Sequence, residues 1–282
     1  MNDLAELESA DAYCRLLARR HYENFIVASG LVRGRARLDL QRIYAYCRTT
    51  DDFGDESGPA GLSRLERWRD AVNGCFSGET PVHPVLLALR ETASRCRIPS
   101  QPFLDLIEAN IQDQTVTSYA DWSELRAYCM LSAAPVGRMV LRVFDMWSSP
   151  AELLSDDVCI GLQLANHAQD VRRDRAGGRT YLLQADLTAE GVAGAVRRLC
   201  ERARELLSSG RQLEALAPGA LRVQLALYRL GGLAIVHAIE RIGYRTDAMR
   251  PRVSRLTQAV LVARALAESL QGNPRAGRFE TV

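Results

Sequence analysis

Apolar residues recur at intervals of three and four through almost the whole chain, the spacing that gathers them on one face of a helix. The pattern predicts helices over 9–20, 38–50, 62–76, 84–96, 101–114, 123–146, 150–172, 189–208, 219–242 and 253–270. Ala, Leu, Arg and Glu dominate these stretches, as helix propensity favours. No run alternates apolar and polar residues as a half-buried strand would, and no Asn-Gly turn joins two such runs. Breaks fall at ESGPAG (56–61), SGETPVHP (77–84), RAGGR (175–179) and APGA (217–220). None is long enough for an interdomain linker, so the expectation is a single all-α domain over 1–272. The periodicity is lost in GNPRAGRFETV, and 273–282 reads as a frayed C-terminal tail.

Two sets of polar residues are embedded in that pattern. Asp51 and Asp55 lie in CRTTDDFGDE; Asp170 and Asp174 lie in LQLANHAQDVRRD. Residues four apart share a helix face, so each pair projects two carboxylates in one direction, a costly arrangement without a cation between them. Gln163, Asn166, Asp170 and Asp174 follow at offsets of three, four and four, which predicts one continuous oxygen-rich stripe. Arg48, three residues before Asp51, adds a guanidinium to the first face. A single such pair in a charged chain reads as a solvated face. Two pairs, each backed by amides or arginine, read as an acidic cleft for Mg²⁺, whose shell is completed by water and substrate phosphate.

Composition narrows the classes. The chain has 282 residues, 47% of them hydrophobic and 25% charged, the balance of an ordinary globular protein with one large core. The net charge of +2 and the lack of basic clusters interleaved with aromatics argue against a nucleic-acid partner. Seven scattered cysteines without a CxxC read as reduced thiols of a cytoplasmic protein. The acidic, amphipathic start MNDLAELESADAY does not resemble a signal peptide, and no apolar run is read as a membrane span. No P-loop, zinc spacing or nucleophile–base triad is present. His237 falls on an apolar face and reads as a core or pocket-edge histidine. His167 lies about 100° around the helix from Asn166 and falls off the ligand stripe.

The segments YAYCRTTDDFGDE (44–56), LRAYCMLSAAPVGRMV (125–140), LQLANHAQDVRRD (162–174) and GRTYL (178–182) together resemble the squalene/phytoene synthase family. HYENF (21–25), SAAPVGR (132–138) and Gln169 before Asp170 resemble its hydroxysqualene synthase branch, the branch of bacterial hopanoid biosynthesis. The resemblance implies an isoprenoid-synthase-type bundle around a central prenyl cavity. Asp51, Asp55, Asn166, Asp170 and Asp174 would hold Mg²⁺. His21, Tyr22, Asn24, Arg48, Gln163, Asn166, Arg179, Tyr181 and Arg252 would face substrate or its diphosphate. Tyr128, Arg48 and Gln169 would serve the reaction, Tyr128 beside the reacting carbons. Tyr22 and Asn24 stand where dehydrosqualene-type members carry small hydroxyl residues, and Gln169 replaces a more usual arginine.

The implied activity is conversion of presqualene diphosphate to hydroxysqualene, with release of diphosphate and capture of water. Alternatives are head-to-head condensation of prenyl diphosphates such as farnesyl diphosphate to squalene, dehydrosqualene or phytoene, or a non-catalytic helical assembly factor. Retention of all four aspartates weighs against the last. Expected partners are the prenyl diphosphate, enzymes of the same pathway, and the inner membrane surface, touched peripherally as a lipid product leaves. The reaction requires ionisation of a carbon–diphosphate bond, which Mg²⁺ and arginine donors assist electrostatically. It also requires a dry apolar pocket for the cation. SAAPVG, with its small residues and Pro135, is expected to kink its helix and leave room for the prenyl chain.

Overall fold

A computed structural model of the chain describes residues 2–20, 32–55 and 59–271; HYENF, and with it His21, Tyr22 and Asn24, lies outside them, as does the tail from 272. The described residues are helical, with no strand among them. We number the helices α1 (Asn2–Arg20), α2 (Gly34–Gly54), α3 (Pro59–Ser77), α4 (Pro84–Cys96), α5 (Gln101–Gln112), α6 (Trp122–Ser132) and α7 (Ala134–Val143). The series continues with α8 (Ser149–Gln169), α9 (Val171–Ala176), α10 (Gln184–Ser208), α11 (Gly210–Leu216), α12 (Gly219–Arg241) and α13 (Arg255–Gln271).

The bundle is built around α8, which packs on α10, α12 and α7, while α1, α2 and α4 pack together on the other side. One core joins Leu125, Tyr128, Leu164, Tyr181, Leu199 and Val236 from α6, α8, α10, α12 and the segment after α9. Another joins Ile43, Tyr46, Trp68, Leu89 and Phe103 from α2 to α5. Cys47, Cys159 and Tyr228 are surrounded by protein and still partly accessible.

Three predicted helices differ from the observed ones for local reasons. The stretch 123–146 is two helices, because Pro135 has no amide proton to continue the ladder and sits in the first turn of α7. Gly137 in that segment serves close packing. A Cβ on Gly137 would lie 2.3 Å from Ser155 Oγ and 2.6 Å from Cys159 Sγ. The stretch 150–172 is interrupted at Asp170, whose φ of −101° and ψ of 14° separate α8 from α9. The amides of Asp170 and Asp174 still donate to the Asn166 and Asp170 carbonyls at 2.9 Å, so the interruption is shallow. In α10, Gly191 at φ 67° bends the helix near its start.

α12 is long and apolar enough to cross a membrane on length and composition, contrary to the sequence reading, but 56% of its most apolar window is buried in the bundle. It is therefore a core helix. His237 is also corrected: its side chain is exposed and lies 3.5 Å from Glu240, one helical turn on. The seven cysteines are all unbridged.

Candidate active site

α8, the Asp170 break and α9 set one wall of a polar pocket of about 190 Å³ lined by Gln163, Asn166, His167, Asp170, Arg173, Asp174 and Arg250. The predicted stripe is thus brought together despite the break, since the ladder bonds through Asp170 keep the register. Asp170 is buried and held by two guanidiniums, Arg173 at 2.8 Å and Arg250 through its Nε. Asp174 lies one turn on, 3.6 Å from Arg173. Burial raises its carboxyl to about 6, and the neighbouring Asp170 charge adds to that while Arg173 and Arg179 oppose it.

α2 carries the other pair. Asp51 is solvent-accessible yet closely surrounded by protein, and that crowding raises its carboxyl to about 6. Asn110 of α5 donates to Asp51 at 3.5 Å. Asp55, the cap of α2, is exposed, with Arg48 3.8 Å away. Arg48 also hydrogen-bonds Asp52, and its Nε is buried without a partner.

Between the pairs sits a group that periodicity did not flag. Asp113, just after α5, accepts from the Tyr128 hydroxyl at 2.9 Å and the Tyr181 hydroxyl at 3.3 Å, with Arg179 at 3.6 Å. Burial raises its carboxyl, as does the Asp55 charge. Arg179 is felt by both Asp113 and Asp174, so the two aspartate pairs flank one electrostatic unit. The signal was in EANIQDQ, where Asn110, Asp113 and Gln114 fall at three and four on one face beside an apolar stripe.

The aromatic rings behind Asp113 form a stack. Tyr181 lies on the His167 imidazole at 3.7 Å, Tyr128 is 5.6 Å from Tyr181, and Tyr119 is 5.4 Å from Tyr128. Burial keeps Tyr181 neutral, up at about 12, and His167 neutral, down at about 3. His167 was placed off the ligand face by its helical angle. It reaches the pocket because its ring turns onto Tyr181 behind the stripe.

Two other expected site residues lie outside the pocket lining. Gln169 does not line the pocket: its amide donates to the Pro251 carbonyl at 2.8 Å and accepts from Arg250 at 3.3 Å. With both ends of the amide engaged, it anchors the segment that carries Arg250. Arg252 is exposed, and it is Arg250, two residues earlier, that enters the pocket.

Among the described residues, no three His, Cys, Asp or Glu groups form a closed metal cage. The donor set nevertheless fits Mg²⁺, which takes one or two carboxylates and leaves the rest of its octahedron to water and phosphate. Burial raises the carboxyls of both Asp51 and Asp174 to about 6, against the pull of Arg48 at the first and of Arg173 and Arg179 at the second.

A family model described as squalene/phytoene synthase matches residues 18–257. This chain belongs to the squalene/phytoene synthase family. It is 33% identical over 224 residues to a hydroxysqualene synthase of Rhodopseudomonas palustris, covering 74% of this chain and 73% of that protein. It is 32% identical over 199 residues to a chloroplastic phytoene synthase 3 of Zea mays, covering 67% of this chain and 46% of that protein. Among solved structures, squalene synthase HpnC from Alicyclobacillus acidocaldarius aligns with a TM-score of 0.80 at 42% identity, over 85% of this chain and 96% of that one. The all-α isoprenoid-synthase fold expected from the sequence is the fold observed.

Proposed function

We propose that this family member converts presqualene diphosphate to hydroxysqualene, releasing diphosphate and ending the carbocation with water. The observation that carries the reading is a polar mouth of carboxylates and guanidiniums opening beside a buried stack of neutral aromatic rings. A diphosphate suits the first part and an allylic or cyclopropylcarbinyl cation the second. The similarity to named hydroxysqualene synthases supports the choice of product.

In this reading Asp170, Asp174 and Asn166, with Asp51 and Asp55 opposite, would hold Mg²⁺. When bound, Mg²⁺ neutralises charge growing on the leaving diphosphate. Arg250, Arg173, Arg48 and Arg179 supply guanidinium donors to the same oxygens, and Gln163 an amide. Gln169 positions Arg250. Tyr128 and Tyr181, fixed through Asp113, present ring faces that stabilise positive carbon. His21, Tyr22 and Asn24, outside the described residues, remain proposed diphosphate contacts, and a membrane surface remains the proposed route for the lipid product.

The second reading, head-to-head condensation to squalene, dehydrosqualene or phytoene, is favoured by the similarity to phytoene synthase 3 of Zea mays. The test is to incubate purified protein with Mg²⁺ in ¹⁸O-water with presqualene diphosphate or farnesyl diphosphate, then identify the lipid. Labelled hydroxysqualene from presqualene diphosphate without NADPH is the expected result. An unlabelled hydrocarbon as sole product, or strict NADPH dependence, overturns it.

A further inference from the structure

We infer that Tyr119 and His167 hold the water that ends the carbocation, and that Asp113 receives its proton. The inference rests on the hydroxysqualene reading and names residues for its last step.

Two buried polar atoms in the aromatic stack have no hydrogen-bond partner: the Tyr119 hydroxyl and His167 Nε2. Their residues are only 2% and 7% exposed. An unmatched buried hydroxyl or imidazole nitrogen is costly, so such atoms in native proteins usually mark a bound water or ligand. Both belong to rings on the same partner, Tyr181: the His167 centroid is 3.7 Å away and that of Tyr119 is 5.9 Å. One water set against both atoms would be held by a hydroxyl and a ring nitrogen, within the two to four partners that buried water needs.

The position suits the chemistry. His167 lines the diphosphate pocket on one side and stacks in the apolar core on the other. A water there sits at the boundary where carbon separates from its leaving oxygen. Capture forms a carbon–oxygen bond and leaves an oxonium with one proton to lose. Asp113 accepts hydrogen bonds from Tyr181 and Tyr128, and its burial favours the protonated form. The proton passes through the Tyr181 hydroxyl, which gives its own to Asp113 and takes the oxonium's. No oxidant or reductant is needed. A sealed water held by two residues also explains how an otherwise dry site delivers one nucleophile without flooding the cation.

The test compares the wild type with Tyr119→Phe, His167→Phe and the double variant, using presqualene diphosphate and Mg²⁺ in ¹⁸O-water. The ratio of labelled alcohol to hydrocarbon is the readout. Both phenyl replacements keep the stacked ring and remove the water-binding atom. The ratio is expected to fall at least tenfold in the double variant as proton loss replaces capture. An unchanged ratio in variants of an alcohol-forming wild type overturns this inference alone. A wild type that forms no alcohol overturns the functional reading and the inference with it. An independent arm needs no turnover: a high-resolution crystal structure of the full chain must show a water bonded to Tyr119 Oη and His167 Nε2, and a dry site there overturns the assignment.

Discussion

Asp174→Asn should stabilise the metal-free protein at neutral and alkaline pH, although it removes a charge from the site. The Asp174 side chain is 13% exposed, and its carboxyl is raised from 3.8 to about 6 by burial and by Asp170. An acid whose pKa is raised on folding binds its proton more tightly in the native state, so ionising it costs stability. That cost is absent below pH 3.8, grows between 3.8 and about 6, and is complete above. At about 1.4 kcal/mol per pH decade, its ceiling is about 3 kcal/mol. For a chain this long, about 2 °C per kcal/mol translates that ceiling into a rise in Tm of about 6 °C. The assay is thermal unfolding of wild type and variant in EDTA at pH 4, 5, 6 and 8. The gain should be largest at pH 8 and vanish near pH 4. A gain that does not depend on pH, or a loss of Tm at pH 8, would refute the reasoning.

Asp51→Asn and Asp170→Asn should each lower turnover by about a thousandfold or more, a loss of about 4 kcal/mol in the transition state, with helicity by circular dichroism intact. EDTA should stop turnover and Mg²⁺ restore it, and diphosphate should tighten Mg²⁺ binding about fivefold by calorimetry. Gln169→Ala should raise KM about five- to tenfold by releasing the Arg250 segment, at a stability cost of about 1–3 kcal/mol from the unpaired Pro251 carbonyl and Arg250. Gly137→Val should lower the urea midpoint by the equivalent of about 1–3 kcal/mol, because its Cβ collides with Ser155 and Cys159.

The helices were legible because burial on one face imposes a period that any reader of the sequence can count. The aspartate pairs were legible for the converse reason: oxygen ligands repeated at that period are a poor core face and a good ion face. Asp113 was not, although EANIQDQ has the same spacing, because one carboxylate beside amides looks like a solvated helix end. Its role depends on Tyr128 and Tyr181, which are 15 and 68 residues away in sequence. The break at Asp170 was missed since no Gly or Pro marks it. Arg250 was not singled out, because a basic run in the sequence does not reveal which guanidinium points inward. Gln169 read as a pocket residue because its partner, the Pro251 carbonyl, is 82 residues distant.

The arrangement of arginines suggests how charge is kept in order before substrate arrives. In the structure Asp170 is balanced by Arg173 and Arg250, and Asp113 by Arg179. Those guanidiniums are forks that fit phosphate as well as carboxylate. An incoming diphosphate can therefore take them over, which leaves Asp170 and Asp174 uncompensated in a site where burial already opposes ionisation. On the proposed reading Mg²⁺ would meet that deficit, and substrate and metal would then each raise the affinity for the other, as linkage requires. The Asp113–Tyr128–Tyr181 unit stays anchored through this exchange even where Arg179 turns to phosphate, because two neutral hydroxyls still hold its carboxylate. It can keep its geometry while the arginines change partners, and a carbocation needs fixed ring faces at the moment its leaving group departs.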